Sequence, residues 1–288
     1  MRIELRADPV RYLEKNLPGL AQKKSAWDLF ASARIYRFLG LREGLTEVAQ
    51  SMKKSDPVSG AAFVIAGLRT CGQPTSSQAI QMAAKTLITQ QHPDGGWGSD
   101  KRSVTFETAW CLSGLFQADS LPAKTEELAV GFLQKAQNED GGWTNYDVGG
   151  KGRSCHGITP SCLWDGCGLC DLPDLKGSGM VQRAVGFILG LQKDDGGWAD
   201  DPLVTRLSTS ALAKADLRLD SKALVAAVQW LAEHQNPDGS WAKDVWDTMA
   251  VLETFQDLGV EWTLSKYPEP PTAPEPGRQK ASAKGNKH

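Results

Sequence analysis

Apolar and polar positions along the chain recur in a long register. Ala83, Ala129, Ala184 and Ala227 each stand eight residues before a glutamine, and Leu87, Leu133, Ile188 and Leu231 each stand four before the same glutamine. Residues four apart share a helix face, so each copy predicts an amphipathic helix of about 14 residues ending at Gln91, Gln137, Gln192 or Gln235. Three residues after each glutamine comes an aspartate (Asp94, Asp140, Asp195, Asp238), then a glycine, and six after it a tryptophan (Trp97, Trp143, Trp198, Trp241). Asp-Gly breaks a helix, the glycine being suited to the left-handed conformation of a C-terminal cap, and the tryptophan is expected to pack back onto the unit.

Downstream of each tryptophan lies a second, less charged apolar stretch: TFETAWCLSGLFQA from Thr105, PSCLWDGCGLCDL from Pro160, RLSTSALAKADL from Arg206 and DVWDTMAVLETFQDLG from Asp244. The unit is therefore a helical hairpin of roughly 45 to 55 residues, a period that signals stacked repeats. Two further hairpins without the tryptophan signature precede these, DPVRYLEKNL with SAWDLFASARIYRFLG and LREGLTEVAQSMKK with DPVSGAAFVIAGLRTCG. Six such pairs can close into a ring, the charged helices outside and the apolar ones inside.

Composition narrows the classes of function. Lysine and arginine (32) nearly balance aspartate and glutamate (34), so no global charge recruits nucleic acid, and nucleic-acid binding is set aside. The first residues, MRIELRADPVRYLEKN, lack the apolar segment of a secretory signal, and no run of 18 apolar residues occurs; a cytoplasmic location is expected, with peripheral attachment to a membrane left open. Six cysteines without an export signal read as thiols or metal ligands rather than disulfides. Residues 1–266 are assigned to the helical ring, with the repeat strongest over 78–260, and residues 267–288, proline-rich and then basic, to a disordered tail.

The Q-x-x-D-G-(G/S)-W phrase resembles the QW repeat of squalene-hopene and oxidosqualene cyclases, which share a toroid with the β-subunits of protein prenyltransferases. ITPSCLWDG from Ile158, FETAWCLSGL from Phe106 and VWDTMAVL from Val245 each resemble further segments of those cyclases. The resemblance implies an all-α fold, a single (α/α)6 toroid of about six helical hairpins. It also implies a hydrophobic isoprenoid as the ligand and an acid-initiated cyclisation without a redox cofactor. The proton donor of the cyclases is the middle aspartate of Asp-x-Asp-Asp followed by threonine; the nearest match here is Asp244-Val245-Trp246-Asp247-Thr248, with tryptophan at the donor's place.

Cyclisation of this kind needs a carboxylic acid and aromatic walls whose π faces stabilise a carbocation. Asp28, Glu107, Asp165 and Asp247 stand at the starts of the expected inner helices and are the candidate catalytic acids, Asp165 first and Asp247 second. Trp27, Trp110, Trp164 and Trp246 beside them, with Phe106, are the candidate substrate-binding residues, so that acids and rings would rim one mouth of a central cavity. An acid in a first helical turn is also what the helix dipole and capping favour, whatever the protein does.

Asp165-Gly166-Cys167 resembles the Asp-x-Cys zinc pair of the prenyltransferase β-subunits, though the position of their ligating histidine is Glu107 here. Cys155-His156-Gly157, with Cys111, resembles the zinc site of lanthionine-forming cyclases. The expectation is no cofactor, with zinc at Asp165 and Cys167 as the exception to test. Three readings remain open at this point: a terpene-cyclase-like enzyme, a zinc prenyltransferase-like enzyme, and a non-catalytic isoprenoid-binding or scaffold protein. A second subunit or a homo-oligomer would complete the chamber that a single toroid leaves half built.

Overall fold

The computed structural model describes residues 1–54, 60–98, 102–145 and 153–265; the expected tail lies outside the described residues. The chain opens with strand β1 (Arg2–Leu5), followed by hairpins α1 (Pro9–Ala21) with α2 (Ala26–Phe38), α3 (Arg42–Met52) with α4 (Ala61–Thr70), and α5 (Gln78–Gln90) with α6 (Thr105–Gln117). Next come α7 (Ala123–Ala136) with α8 (Ile158–Leu163), a 3-10 turn at Leu169–Asp171 and the single-turn α9 (Pro173–Lys176). Hairpins α10 (Gly179–Gly190) with α11 (Pro202–Lys214) and α12 (Lys222–Glu233) with α13 (Val245–Asp257) complete the helices, and strand β2 (Glu261–Leu264) ends the described chain.

The second helices of the six hairpins pack in cyclic order, α2 on α4, α4 on α6, α6 on α8, α8 on α11, α11 on α13, and α13 back on α2, so the fold is a closed α/α toroid. Helices α4, α6, α11 and α13 are buried along most of their length and α2 through its middle, while the first helices form the outer layer and bury one face. Close approach inside the ring needs small residues: a Cβ at Gly114 of α6 would lie 3.1 Å from the Ala62 Cα of α4.

The repeated phrase is the joint of this ring. Each glutamine Nε2 donates to the carbonyl of its own turn glycine and to a carbonyl at the start of the next outer helix. Gln91 reaches Gly95 and Thr125, Gln137 reaches Gly141 and Met180, and Gln192 reaches Gly196 and Ala223. The fourth joint closes the circle, because Gln235 Nε2 donates to Gly239 O and Ala7 O while its Oε1 accepts from Ala7 N, just ahead of α1.

The aspartates accept from the backbone N–H two residues on, as in Asp94 with Gly96 and Asp238 with Ser240. The glycines sit at φ between +88° and +96°, and a Cβ there would come within 2.2–2.6 Å of a backbone oxygen of the next outer helix or its cap. Only glycine meets both demands.

The four tryptophans are buried, and their indole N–H groups donate to Leu87, Leu133, Ile188 and Leu231, the positions that set the sequence register. Their backbone N–H groups donate to the hydroxyls of Thr108, Thr159, Thr205 and Thr248 near the starts of the inner helices, a role the sequence reading did not assign.

Two features depart from the all-helical expectation. Strands β1 and β2 pair in parallel, with Arg2 opposite Glu261 and Leu5 opposite Leu264, and bury Ile3 and Leu5 against the outer layer. The alternation in RIEL, masked by its charges, was the available signal. The inner helix expected over Pro160–Leu172 stops at Leu163, because Trp164 is extended (φ −172°, ψ 126°) and Gly166 is left-handed (φ +88°). Two glycines two residues apart, Gly166 and Gly168, end a helix that apolar content alone would continue.

Candidate functional site

Pairs formed at matching levels of α2, α11 and α13 show that these helices run parallel. Arg34 donates to both carboxylate oxygens of Glu253 at 2.6 Å, Ser210 and Thr254 share a hydrogen bond of 2.7 Å, and Lys214 bonds Asp257 at 2.6 Å. Their first turns therefore open on one mouth of the ring, where the inner helices bring six aromatic rings together. Trp27 lies 5.0 Å from Trp246, 4.9 Å from Phe63 and 6.2 Å, stacked, from Trp110. Phe106 meets Trp110 edge-on at 4.6 Å, and Phe30 lies one turn below Trp27, 5.4 Å from Trp246.

Trp27, Trp110, Trp246 and Phe106 thus come together as expected, and Phe30 and Phe63 join them unforeseen. Trp164 does not. It lies at the end of α8, its ring covered by the Lys214 ammonium at 4.9 Å and the Arg34 guanidinium at 5.6 Å, toward the opposite end of the ring.

The acids fall into three environments. Asp28, in the first turn of α2, accepts from the hydroxyl of the N-cap Ser25 and lies 3.9 Å from Lys23. Asp165 is not at a helix start, contrary to expectation: it follows the C-terminal end of α8, because the break at Trp164 turns the chain inward. There Asp165 accepts from Arg206 Nη1 at 2.5 Å and from the Trp246 indole at 3.2 Å, while Arg206 Nη2 donates to Asp247.

Arg206 is 2% exposed and bridges the two carboxylates that sequence reasoning had ranked first. Burial pushes the Asp247 carboxyl up to about 6, against the opposing pull of Arg206. The Arg206 side chain was missed; its signal was a lone arginine in an inner helix otherwise uncharged as far as Lys214.

Glu107 occupies the third environment. It is half-buried in the first turn of α6, between Phe106 and Trp110 in sequence, and accepts no hydrogen bond among the described residues. Burial raises its carboxyl above the usual range, and only the neighbourhood of His92 acts in the other direction. The Trp110 indole N–H is buried without an acceptor among the described residues.

The candidate zinc ligands, Asp165 with Cys167 and Cys155 with Cys111, stand in differing surroundings. Asp165 is engaged by Arg206 and Trp246, burial raises the Cys167 thiol well above its ordinary range, and Cys155 is exposed while Cys111 is buried. Among the described residues no three His, Cys, Asp or Glu side chains gather to hold a metal ion. No helix among them is long and apolar enough to cross a membrane.

The family model for the squalene-hopene cyclase C-terminal domain matches residues 55–156. The squalene-hopene cyclase of Zymomonas mobilis is 24% identical over 206 residues, 56% of this chain and 29% of that protein. A drimenyl diphosphate synthase of Streptomyces showdoensis is 24% identical over 196 residues, 64% of this chain and 36% of that one. The chain spans about a third of the length of these relatives. Among solved structures, a variant of the type II terpene cyclase MstE from Scytonema, in complex with geranylgeranyl dihydroxybenzoate, superposes with a TM-score of 0.59 at 13% identity, covering 87% of this chain and 97% of that one. In its repeat, its toroid and its matched segments the chain is similar to terpene cyclases of the squalene-hopene type.

Proposed function

We propose that this protein binds a linear isoprenoid across its aromatic mouth and protonates it, starting a cyclisation. The observation that carries the reading is the cluster of six rings from α2, α4, α6 and α13, with a half-buried acid, Glu107, in the same turn of α6 as Phe106 and free of hydrogen bonds among the described residues. A proton donor must first hold a proton, and burial favours the neutral carboxyl at Glu107. Asp247, also raised, ranks next; Asp165, bonded to Arg206 and the Trp246 indole, is a positioning residue in this scheme. In the step itself the Glu107 proton would pass to an alkene carbon. The electron pair of the double bond forms the new C–H bond, and the adjacent cationic carbon is held by the π faces of Trp27, Trp110 and Trp246 until the next double bond closes on it.

The relatives named above point to the substrates to try. Squalene, farnesyl diphosphate and geranylgeranyl diphosphate are incubated with the protein, with and without magnesium and zinc, and products are read by mass spectrometry. A cyclised product that disappears in Glu107→Gln supports the assignment; one formed equally well by that variant removes Glu107, and Asp247→Asn is then the next test.

The non-catalytic reading has its own support. Trp246 stands at the donor's place in the Asp-x-Asp-Asp match, and its indole is bonded to Asp165. Tight binding of an isoprenoid with no product in any condition would favour it, while transfer that depends on zinc would favour the prenyltransferase-like alternative.

A further inference from the structure

The interruption of the fourth inner helix has a use that neither the repeat nor the proposed reaction requires. Between Leu163 and Leu169 the chain leaves the wall of the ring and touches three other inner helices at once. Asp165 bonds Arg206 of α11 and Trp246 of α13. At Gly166 a Cβ would lie 2.7 Å from Trp246 Cη2 and 2.9 Å from the Phe30 ring of α2. Trp164 lies between Arg34 of α2 and Lys214 of α11. Trp164, Gly166, Cys167 and Gly168 are all buried. The segment then turns back, with a Cβ at Gly168 only 2.6 Å from Leu163 O, and Asp171 anchors it by accepting from Ser113 of α6 at 2.6 Å.

We infer that the segment Trp164–Gly168 is a fixed floor across the ring axis, pinned by Arg206, which makes the aromatic mouth a one-ended site and Gly166 the residue that sets its depth. Trp246 and Phe30, buried themselves, rest on the floor, so an apolar ligand entering at the mouth would have to displace those rings to thread the toroid. Arg206 is suited to the pin because its planar fork holds Asp165 on the segment and Asp247 on the wall together. Removing it would leave both carboxylates without their counter-charge, so the segment would lift. A side chain at Gly166 would drive Trp246 and Phe30 outward and make the site shallower. The depth assignment rests on the isoprenoid reading above; the pinned floor does not.

The experiment has two arms that fail separately. In the first, N-ethylmaleimide labelling is mapped by mass spectrometry in the wild type and in Arg206→Met, with Asp165→Asn as the second variant, all checked for native helicity. In the wild type Cys155, which is exposed, reacts fast and Cys167 slowly. Releasing the floor should speed Cys167 by about tenfold or more while Cys162, in the wall, stays protected. Equal protection of Cys167 in the wild type and in both folded variants overturns the pin.

In the second arm, uncharged prenyl alcohols of increasing length are titrated against tryptophan fluorescence. Affinity should climb by about tenfold or more per added isoprene unit and then stop climbing where the floor is met. Phe30→Leu should move that stop to a longer chain, and Gly166→Ala, checked for native melting, to a shorter one. An unchanged stop in both variants overturns the depth assignment. Failure of every alcohol to bind the wild type overturns the isoprenoid reading and the depth assignment with it, leaving the floor itself to be judged by the thiols.

Discussion

Asp247→Asn isolates the cost of keeping a carboxylate beneath the aromatic mouth. In the native protein burial lifts this carboxyl from 3.8 to about 6, Arg206 notwithstanding. Because the folded value lies above the unfolded one, the group favours folding most when protonated: its contribution is fully present below about pH 3.8 and is lost as the pH rises through about 6. At 1.36 kcal/mol per pH unit the gap amounts to about 3 kcal/mol, of which about 2 kcal/mol falls between about pH 4.5 and about pH 7.5.

Asparagine is neutral throughout, nearly isosteric, and its carbonyl can still accept from Arg206, so the variant should lack this contribution while keeping the geometry. Urea unfolding of both proteins across that range should show the wild type losing about 2 kcal/mol relative to the variant as the pH rises, or a divergence in Tm of about 4 to 8 °C. Stability curves that stay parallel from acid to neutral pH would show that Arg206 fully compensates the buried charge, and the account of Asp247 as a proton-holding acid would fall with them.

Gln235→Ala removes three hydrogen bonds at the joint between the last and first hairpins and should cost about 2 to 4 kcal/mol in chemical unfolding, with faster amide exchange at Ile3 and Leu5 as its local signature. Gly239→Ala puts a Cβ 2.6 Å from Asp8 O at φ +92°, and should lower Tm by at least as much as Gln235→Ala; a neutral result would mean that α1 can shift away freely. Thr159→Val takes the acceptor from the buried Trp143 N–H and should cost about 1 to 3 kcal/mol by the same measurement, unless water enters to replace it.

The joints were legible because one set of demands recurs at each: a helix stop, a left-handed glycine, an amide reaching the next hairpin and an indole reaching back by ten residues. Those demands are local, so they print the same letters four times. The first two hairpins carry no such letters and could be read only from their apolar spacing. The candidate site was read less well. Trp27, Trp110, Trp246 and Phe106 converge because each lies in an early turn of an inner helix, a placement the repeat fixes. Asp165 and Trp164 were misplaced because their position depends on two glycines that end α8. Arg206 was overlooked because its partners lie 41 residues away in both directions. Non-local pairing leaves no spacing in the sequence to read.

The joint at Gln235 bears on how this molecule could be cut and rejoined. Ala7 receives from the sixth hairpin what Thr125, Met180 and Ala223 receive from earlier ones, and β1 lies beside β2 across 259 residues of sequence. The place where the described chain starts and stops is thus a seam of the same stitching. A circular permutant that links the two ends by a short spacer and opens the chain between two other hairpins would keep every joint. Such a permutant should also assemble in a different order, since the contacts that must now wait longest for their partners would be moved to another seam.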